Sequence, residues 1–186
     1  RAIERLRGRI EALCHQLIDK IEENYGTSSF DFKECYATPI PVIVIAEMLG
    51  VPETMAPNLL HWSHSMIKMY EMQRTPEMEA AAVEASREFV SYLRSLVQER
   101  GRQPRQDLIS KLIEVESAGD RLSEDELIAN CILLLNAGHE ATVNVIGNGM
   151  VALLNHPQQL TKWRNNGPND TPFGKTAVEE LLRFDT

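Results

Sequence analysis

Glu140 and Thr142 place a carboxyl and a hydroxyl within one helical turn. They sit inside the apolar stretch Leu133–Leu134–Leu135–Asn136–Ala137–Gly138–His139–Glu140–Ala141–Thr142–Val143–Asn144. An acid and an alcohol that reach a common point can relay a proton. The small pair Ala137–Gly138 just before them would admit a flat ligand against the backbone. A plain helix would avoid this composition, because an interior glycine costs about 1 kcal/mol relative to alanine and a carboxylate among apolar neighbours needs a partner. The same residues also fit a buried helix in which Gly138 permits close packing and Glu140 finds an ion-pair partner. His139–Glu140 opens like a zinc-protease helix, but that pattern needs a second histidine four residues after the first. Val143 holds the position, so the zinc-protease reading fails.

Other residues invite chemistry less strongly. His61 and His64 share a helix face and could hold a metal, yet the sequence places no acid or cysteine to complete the set. Met66, Met69 and Met72 suit either a channel for an irregular ligand or ordinary core. Glu180 and Arg183, at i and i+3, can pair on one helix face.

The elements that must position these residues are almost all helical. Ile3, Leu6, Ile10, Leu13, Leu17 and Ile21 form one apolar stripe, and a first helix is predicted over 1–25, ended by Gly26. Phe30–Phe32 is the one candidate strand. Further helices are expected over 36–50, over 54–100 with a break at Pro76, over 107–116 and over 124–155. Two more follow over 157–165 and 176–184. Ala118–Gly119–Asp120 and Asn165–Asn166–Gly167–Pro168 read as turn and loop. Ser123–Glu124–Asp125–Glu126 is a capping box, and His156–Pro157 closes the longest helix. A widened turn is expected around residues 137–142, because bulges gather at functional sites.

Composition narrows the function classes. The chain has 186 residues, 43% apolar and 25% charged, enough for one sizeable core. A net charge of −8 with scattered cations excludes a sequence-independent grip on nucleic acid. Cys14, Cys35 and Cys131 are an odd, widely spaced set, as in a reduced cytoplasmic protein. No apolar run approaches the roughly 20 residues of a membrane span, so no membrane partner is expected.

The long helix resembles the oxygen-activating helix of the cytochrome P450 family, whose pattern is Ala/Gly-Gly-x-Asp/Glu-Thr-Thr. Glu180–Leu181–Leu182–Arg183 matches a second family signature, Glu-x-x-Arg. Tyr36 to Pro52 is similar to the E-helix segment of soluble bacterial members. Gly147 to Gln158 resembles the distal helix running into the next, and Ala177 to Phe184 the K helix. The third signature, a Phe-x-x-Gly loop with the haem-ligating cysteine, is not found in these residues. Cys14, Cys35 and Cys131 do not match it.

The resemblance implies a central fragment, from about the D helix to the K helix, of an all-α cytochrome P450 fold dominated by long helices. Its segments are the E-like 36–50, F/G-like 54–100, H-like 107–116, I-like 124–155, J-like 157–165 and K-like 176–184 helices. It implies a haem-thiolate monooxygenase parent that inserts one oxygen atom from dioxygen into a small organic substrate, with electrons from a ferredoxin- or flavin-type donor. Ala137 and Gly138 would lie against the haem, and Glu140 would be the acid of proton delivery. Ala141 stands where the family usually has its threonine, and Thr142 matches the second hydroxyl. Proton delivery would then use Thr142, an ordered water or a substrate hydroxyl. Glu180 and Arg183 would be structural, and no metal ligand is expected. The fragment by itself is expected to be inactive, to form no haem-thiolate complex, and to self-associate with Ile128, Ile132, Leu135, Val143 and Ile146 partly uncovered. The alternative is a non-enzymatic scaffold or dimerisation module built on the first helix, although Lys20 breaks its heptad pattern.

Overall fold

The computed structural model describes residues 2–115, 122–166 and 171–184, with side chains from Leu6 onward. Helix α1 (Ala2–Tyr25) ends at Gly26, whose φ of 56° favours a residue without a side chain. Its stripe is used within the chain: Leu13 and Leu17 pack on Ile40 and Ile43 of α2 (Pro39–Leu49). Arg9 reinforces the contact by donating from Nε and Nη2 to one oxygen of Glu47, at 2.7 and 2.5 Å. The middle of the face that a dimerisation module would need, Leu13 and Leu17, is therefore covered by α2.

The expected strand at Phe30–Phe32 does not form, and no strand occurs among the described residues. Asp31 caps a turn instead, its carboxylate accepting the Glu34 N–H at 2.9 Å. Phe32 is already helical and stacks on Tyr36 with ring centroids 5.3 Å apart. The widened turn lies here as well. Lys33–Ala37 is a π-helix, with Thr38 N–H donating to the Lys33 carbonyl at 2.9 Å. Residues 137–142, where the sequence suggested it, are regular α-helix.

The larger core gathers α2, α3 (Ala56–Ile67), α4 (Pro76–Arg102), α5 (Leu108–Val115) and α6 (Glu124–Asn155). Trp62 of α3 stacks on Phe89 of α4 at 5.0 Å and satisfies its indole N–H on Glu88 at 2.8 Å. Helix α4 runs through Gly101 rather than stopping there, and ends just before Pro104, which disfavours helical geometry in the residue it follows.

A buried polar clamp joins three of these helices. Arg100 of α4 is 2% exposed, and donates to Asp107 at 2.5 Å, to the Gly50 carbonyl at 2.8 Å and to Glu99 at 2.7 Å. The other Asp107 oxygen accepts the Ser110 N–H at 2.8 Å, capping α5. Gly50 has a φ of 77°, and a Cβ there would lie 2.2 Å from the Asp107 carboxylate. Only glycine fits both demands.

Helix α6 spans 32 residues, about 48 Å at 1.5 Å per residue. Its capping box forms: Ser123 Oγ accepts the Glu126 N–H, and Glu126 accepts the Ser123 N–H at 2.8 Å. Ile128, Leu135 and Val143 are buried, contrary to the expectation that they would be uncovered. Helices α2, α3 and α4 already pack on that side. Ile132 and Ile146 are half-buried. Helix α7 (Pro157–Asn166) follows directly, and α8 (Pro172–Phe184) folds back on α6 and α7. Thr171 caps α8 by accepting the Gly174 N–H at 3.0 Å, so it begins four residues before Thr176. The turn read at 118–120 and part of the loop at 165–168 lie outside the described residues. No described helix is long and apolar enough to cross a membrane.

Candidate functional site

One face of α6 stays exposed among the described residues. Leu133, Ala137, Ala141, Asn144, Asn148 and Val151 follow one another at steps of three and four, and all are exposed. Leu133, Val151 and Leu154 are 63, 57 and 62% exposed, high for large apolar side chains on a packed helix. Between the apolar ends of this stripe, Ala137 and Ala141 leave a flat, shallow middle.

Gly138 points elsewhere. A Cβ at this position would lie 2.9 Å from Cδ1 of Ile45 on α2, so the approach of α2 is what asks for glycine. Thr142 is exposed, but its hydroxyl donates to the Gly138 carbonyl one turn back at 2.8 Å. That bond commits its hydrogen to the helix and leaves only oxygen lone pairs available. Ala141, between Glu140 and Thr142, brings no hydroxyl.

Glu140 is half-buried at the edge of this face, and two histidines stand beside it. His64 Nε2, from α3, lies 3.8 Å from its carboxylate, and His139 Nδ1 lies 4.0 Å away. The two imidazole rings are 5.3 Å apart at 45°. His139 is 1% exposed, and neither ring nitrogen has a hydrogen-bond partner. Burial, assisted by His64, pushes the His139 imidazole down to about 4, against a smaller opposing pull from Glu140. The sequence offered His64 without an acid, and His139–Glu140 without a second histidine. The packing of α3 on α6 brings the halves together across 75 positions, which no local pattern reveals.

The remaining candidates are dispersed. Met66 packs against the larger core, Met69 lies in a short 3-10 turn, and Met72 stands beyond it, fully exposed. The three therefore do not share one helix face. His61 is exposed on α3. Arg183 grips Glu180 with two donors, at 2.8 and 2.6 Å, on the surface of α8. Cys131 is buried in the core, and burial pushes its thiol up to about 11, the opposite of a ready thiolate. Cys14 bonds Tyr36, whose phenol burial and that bond push up to about 12, and Cys35 lies 3.6 Å from the Tyr25 hydroxyl.

Comparison with known proteins accounts for this architecture. The family model for cytochrome P450 matches residues 3–167. The chain is 38% identical to cytochrome P450 CYP107DY1 of Priestia megaterium over 184 residues, covering 99% of this chain and 42% of that protein. It is 37% identical to 6-deoxyerythronolide B hydroxylase of Saccharopolyspora erythraea over 185 residues, covering 99% of this chain and 43% of that protein. Among solved structures, P450BioI in complex with a fatty-acyl-ligated acyl carrier protein superposes with a TM-score of 0.87 at 35% identity. That match covers 97% of this chain and 45% of the other. The chain belongs to the cytochrome P450 family. It spans less than half the length of these relatives.

Proposed function

We propose that these residues form the oxygen-side wall of a haem-thiolate monooxygenase that inserts one oxygen atom from dioxygen into a small organic substrate. The observation that carries this reading is the bare stripe of α6, with Ala137 and Ala141 at its middle and Glu140 at its edge. A planar macrocycle fits the shallow part of such a face at Ala137 and Ala141, beside Leu133. Ala137, Ala141 and the backbone beside Gly138 would lie against the haem. When bound, haem supplies the one-electron and dioxygen chemistry that no side chain here can perform. None of Cys14, Cys35 and Cys131 stands in a setting that would favour a thiolate ligand to the haem.

Each residue then has a limited task. Glu140 holds and passes protons toward the distal face, reached from solvent through its exposed carboxylate edge. Thr142 can accept a hydrogen bond but has given its own hydrogen to Gly138. The last donor in the relay is then a water or a hydroxyl of the substrate, held over Ala141 where a side-chain alcohol is missing. The Glu180–Arg183 pair keeps a structural role. A ferredoxin- or flavin-type protein delivers the electrons, and the site of action is the cytoplasm. Reducing the full-length protein under carbon monoxide tests the reading. A thiolate-type absorption band is expected, and a band of histidine-ligated type would contradict it.

The bare stripe also bears on association. Contiguous exposed apolar patches beyond roughly 300–600 Å² are uncommon on monomers. The 186-residue chain alone is expected to self-associate through Leu133, Val151 and Leu154. Light scattering at tens of micromolar should report a dimer or larger species that Leu133→Ser and Leu154→Ser shift toward monomer.

A further inference from the structure

We propose that His64, His139 and Glu140 form a binding site for a divalent transition-metal ion of the zinc class, bridging α3 and α6. Among the described residues, these three offer one ligand atom each, all within 4.8 Å of one another. Two imidazoles and a carboxylate are a donor set that zinc accepts, leaving a fourth position for water.

The geometry requires side-chain movement of about an ångström. Bonds of about 2.0–2.1 Å in a tetrahedron place neighbouring ligand atoms about 3.3 Å apart. His64 and His139 stand 3.8 and 4.0 Å from the same Glu140 oxygen. These two contacts close by about half an ångström or slightly more, and the two imidazole nitrogens, within 4.8 Å of each other, must approach by up to about 1.5 Å. His64 and Glu140 are the partners able to move, with side chains 49 and 37% exposed. The same exposure gives an ion its way in.

The second observation is His139 itself. It is a fully buried imidazole with two unpartnered ring nitrogens, one of them nearest the Glu140 carboxylate. Buried polar atoms are almost always satisfied. A cation at the centre of the three ligands would satisfy that nitrogen and neutralise the carboxylate, so it competes with the proton-carrying role of Glu140. As an apolar space-filler His139 has no evident reason to be histidine, since a leucine would bury there without orphaned polar atoms.

Cobalt(II) and zinc(II) titrations of the chain test the assignment. One cobalt ion per chain should give the intense visible bands of a four- or five-coordinate nitrogen–oxygen site, and zinc should displace it. His64→Ala, which changes an exposed side chain, should weaken binding at least about tenfold and abolish the bands. Glu140→Gln should also weaken it, and His61→Ala should leave both unchanged. Zinc should raise the thermal midpoint of the wild-type chain and not that of His64→Ala. Wild-type cobalt affinity and spectrum in His64→Ala would overturn the site, as would only the pale spectrum of a hydrated ion in the wild-type chain.

Discussion

Glu140→Gln in the full-length enzyme is expected to lower product formation by about 100-fold, the scale of lost general acid catalysis and equal to about 2.7 kcal/mol of barrier. Glutamine keeps the shape and can still accept a hydrogen bond, so the change removes the transferable proton and the carboxylate charge without altering size. The neighbourhood makes the effect large. Ala141 has no hydroxyl, and the Thr142 hydrogen is engaged with the Gly138 carbonyl. Oxygen should continue to be consumed after the substitution but end less often in product. Ala141→Thr adds the missing alcohol on an exposed position and is expected to be tolerated, with the oxygen-to-product ratio equal or better. Unchanged turnover and coupling in Glu140→Gln would reduce the acid to a structural partner of His64.

The second large effect falls on stability, at the clamp between α2, α4 and α5. Asp107→Ala removes the carboxylate that Arg100 grips at 2.5 Å, leaving a guanidinium that is only 2% exposed. Breaking a buried pair from one side costs about 3–5 kcal/mol. The Gly50 carbonyl and Glu99 still receive two of the Arg100 donors, which places the expected loss near the lower end, about 3 kcal/mol. Denaturant unfolding should show a lower midpoint with an unchanged slope.

The pair also sets an acid limit. Burial alone would raise the Asp107 carboxyl, but hydrogen bonds from Arg100 and Ser110 outweigh it and hold it below its ordinary value of 3.8. A carboxyl depressed on folding contributes stability that is present above its unfolded value and is lost as pH falls through its folded one. Wild-type chain should therefore lose stability below pH 3.8 more steeply than Asp107→Ala. Parallel acid profiles for the two proteins would show that the clamp carries no such linkage.

The helices were legible wherever chemistry was local. Ser123 with Glu126 fixes the start of α6, and His156–Pro157 fixes its end. Gly26 and Gly50 mark positive-φ stops. What escaped was decided by contacts between elements. Phe30–Phe32 alternates like a strand, but no second strand is present among the described residues, and Asp31 starts a helical turn instead. The anomaly of Gly138 suggested a bulge, yet the helix stays regular, and the glycine answers the close approach of α2, where Ile45 takes the side-chain space. Ile128, Leu135 and Val143 looked uncovered because the sequence does not say that α2, α3 and α4 fold onto that side.

The candidate site divides in the same way. Glu140, Thr142 and the small residues are visible as a polar break in an apolar run. The companionship of His64 is not, because it depends on how α3 crosses α6. The orientation of Thr142 also escapes sequence. Its hydroxyl has a choice between solvent and the preceding turn, and the structure places it on the turn.

Carbon monoxide affinity of the reduced, haem-loaded full-length protein carrying Ala137→Trp addresses the central claim most directly, namely that the bare stripe of α6 faces the distal side of the haem. Val83→Trp, at an exposed position on α4, serves as the control. Overfilling a packed site typically costs about 1–3 kcal/mol, and 1.4 kcal/mol is tenfold in affinity. Ala137→Trp is therefore expected to bind carbon monoxide at least about fivefold more weakly than the wild type, with the thiolate-type band kept and Val83→Trp unaffected. Wild-type affinity in Ala137→Trp, with haem fully retained, would show that this face of α6 does not meet the ligand-binding side of the haem.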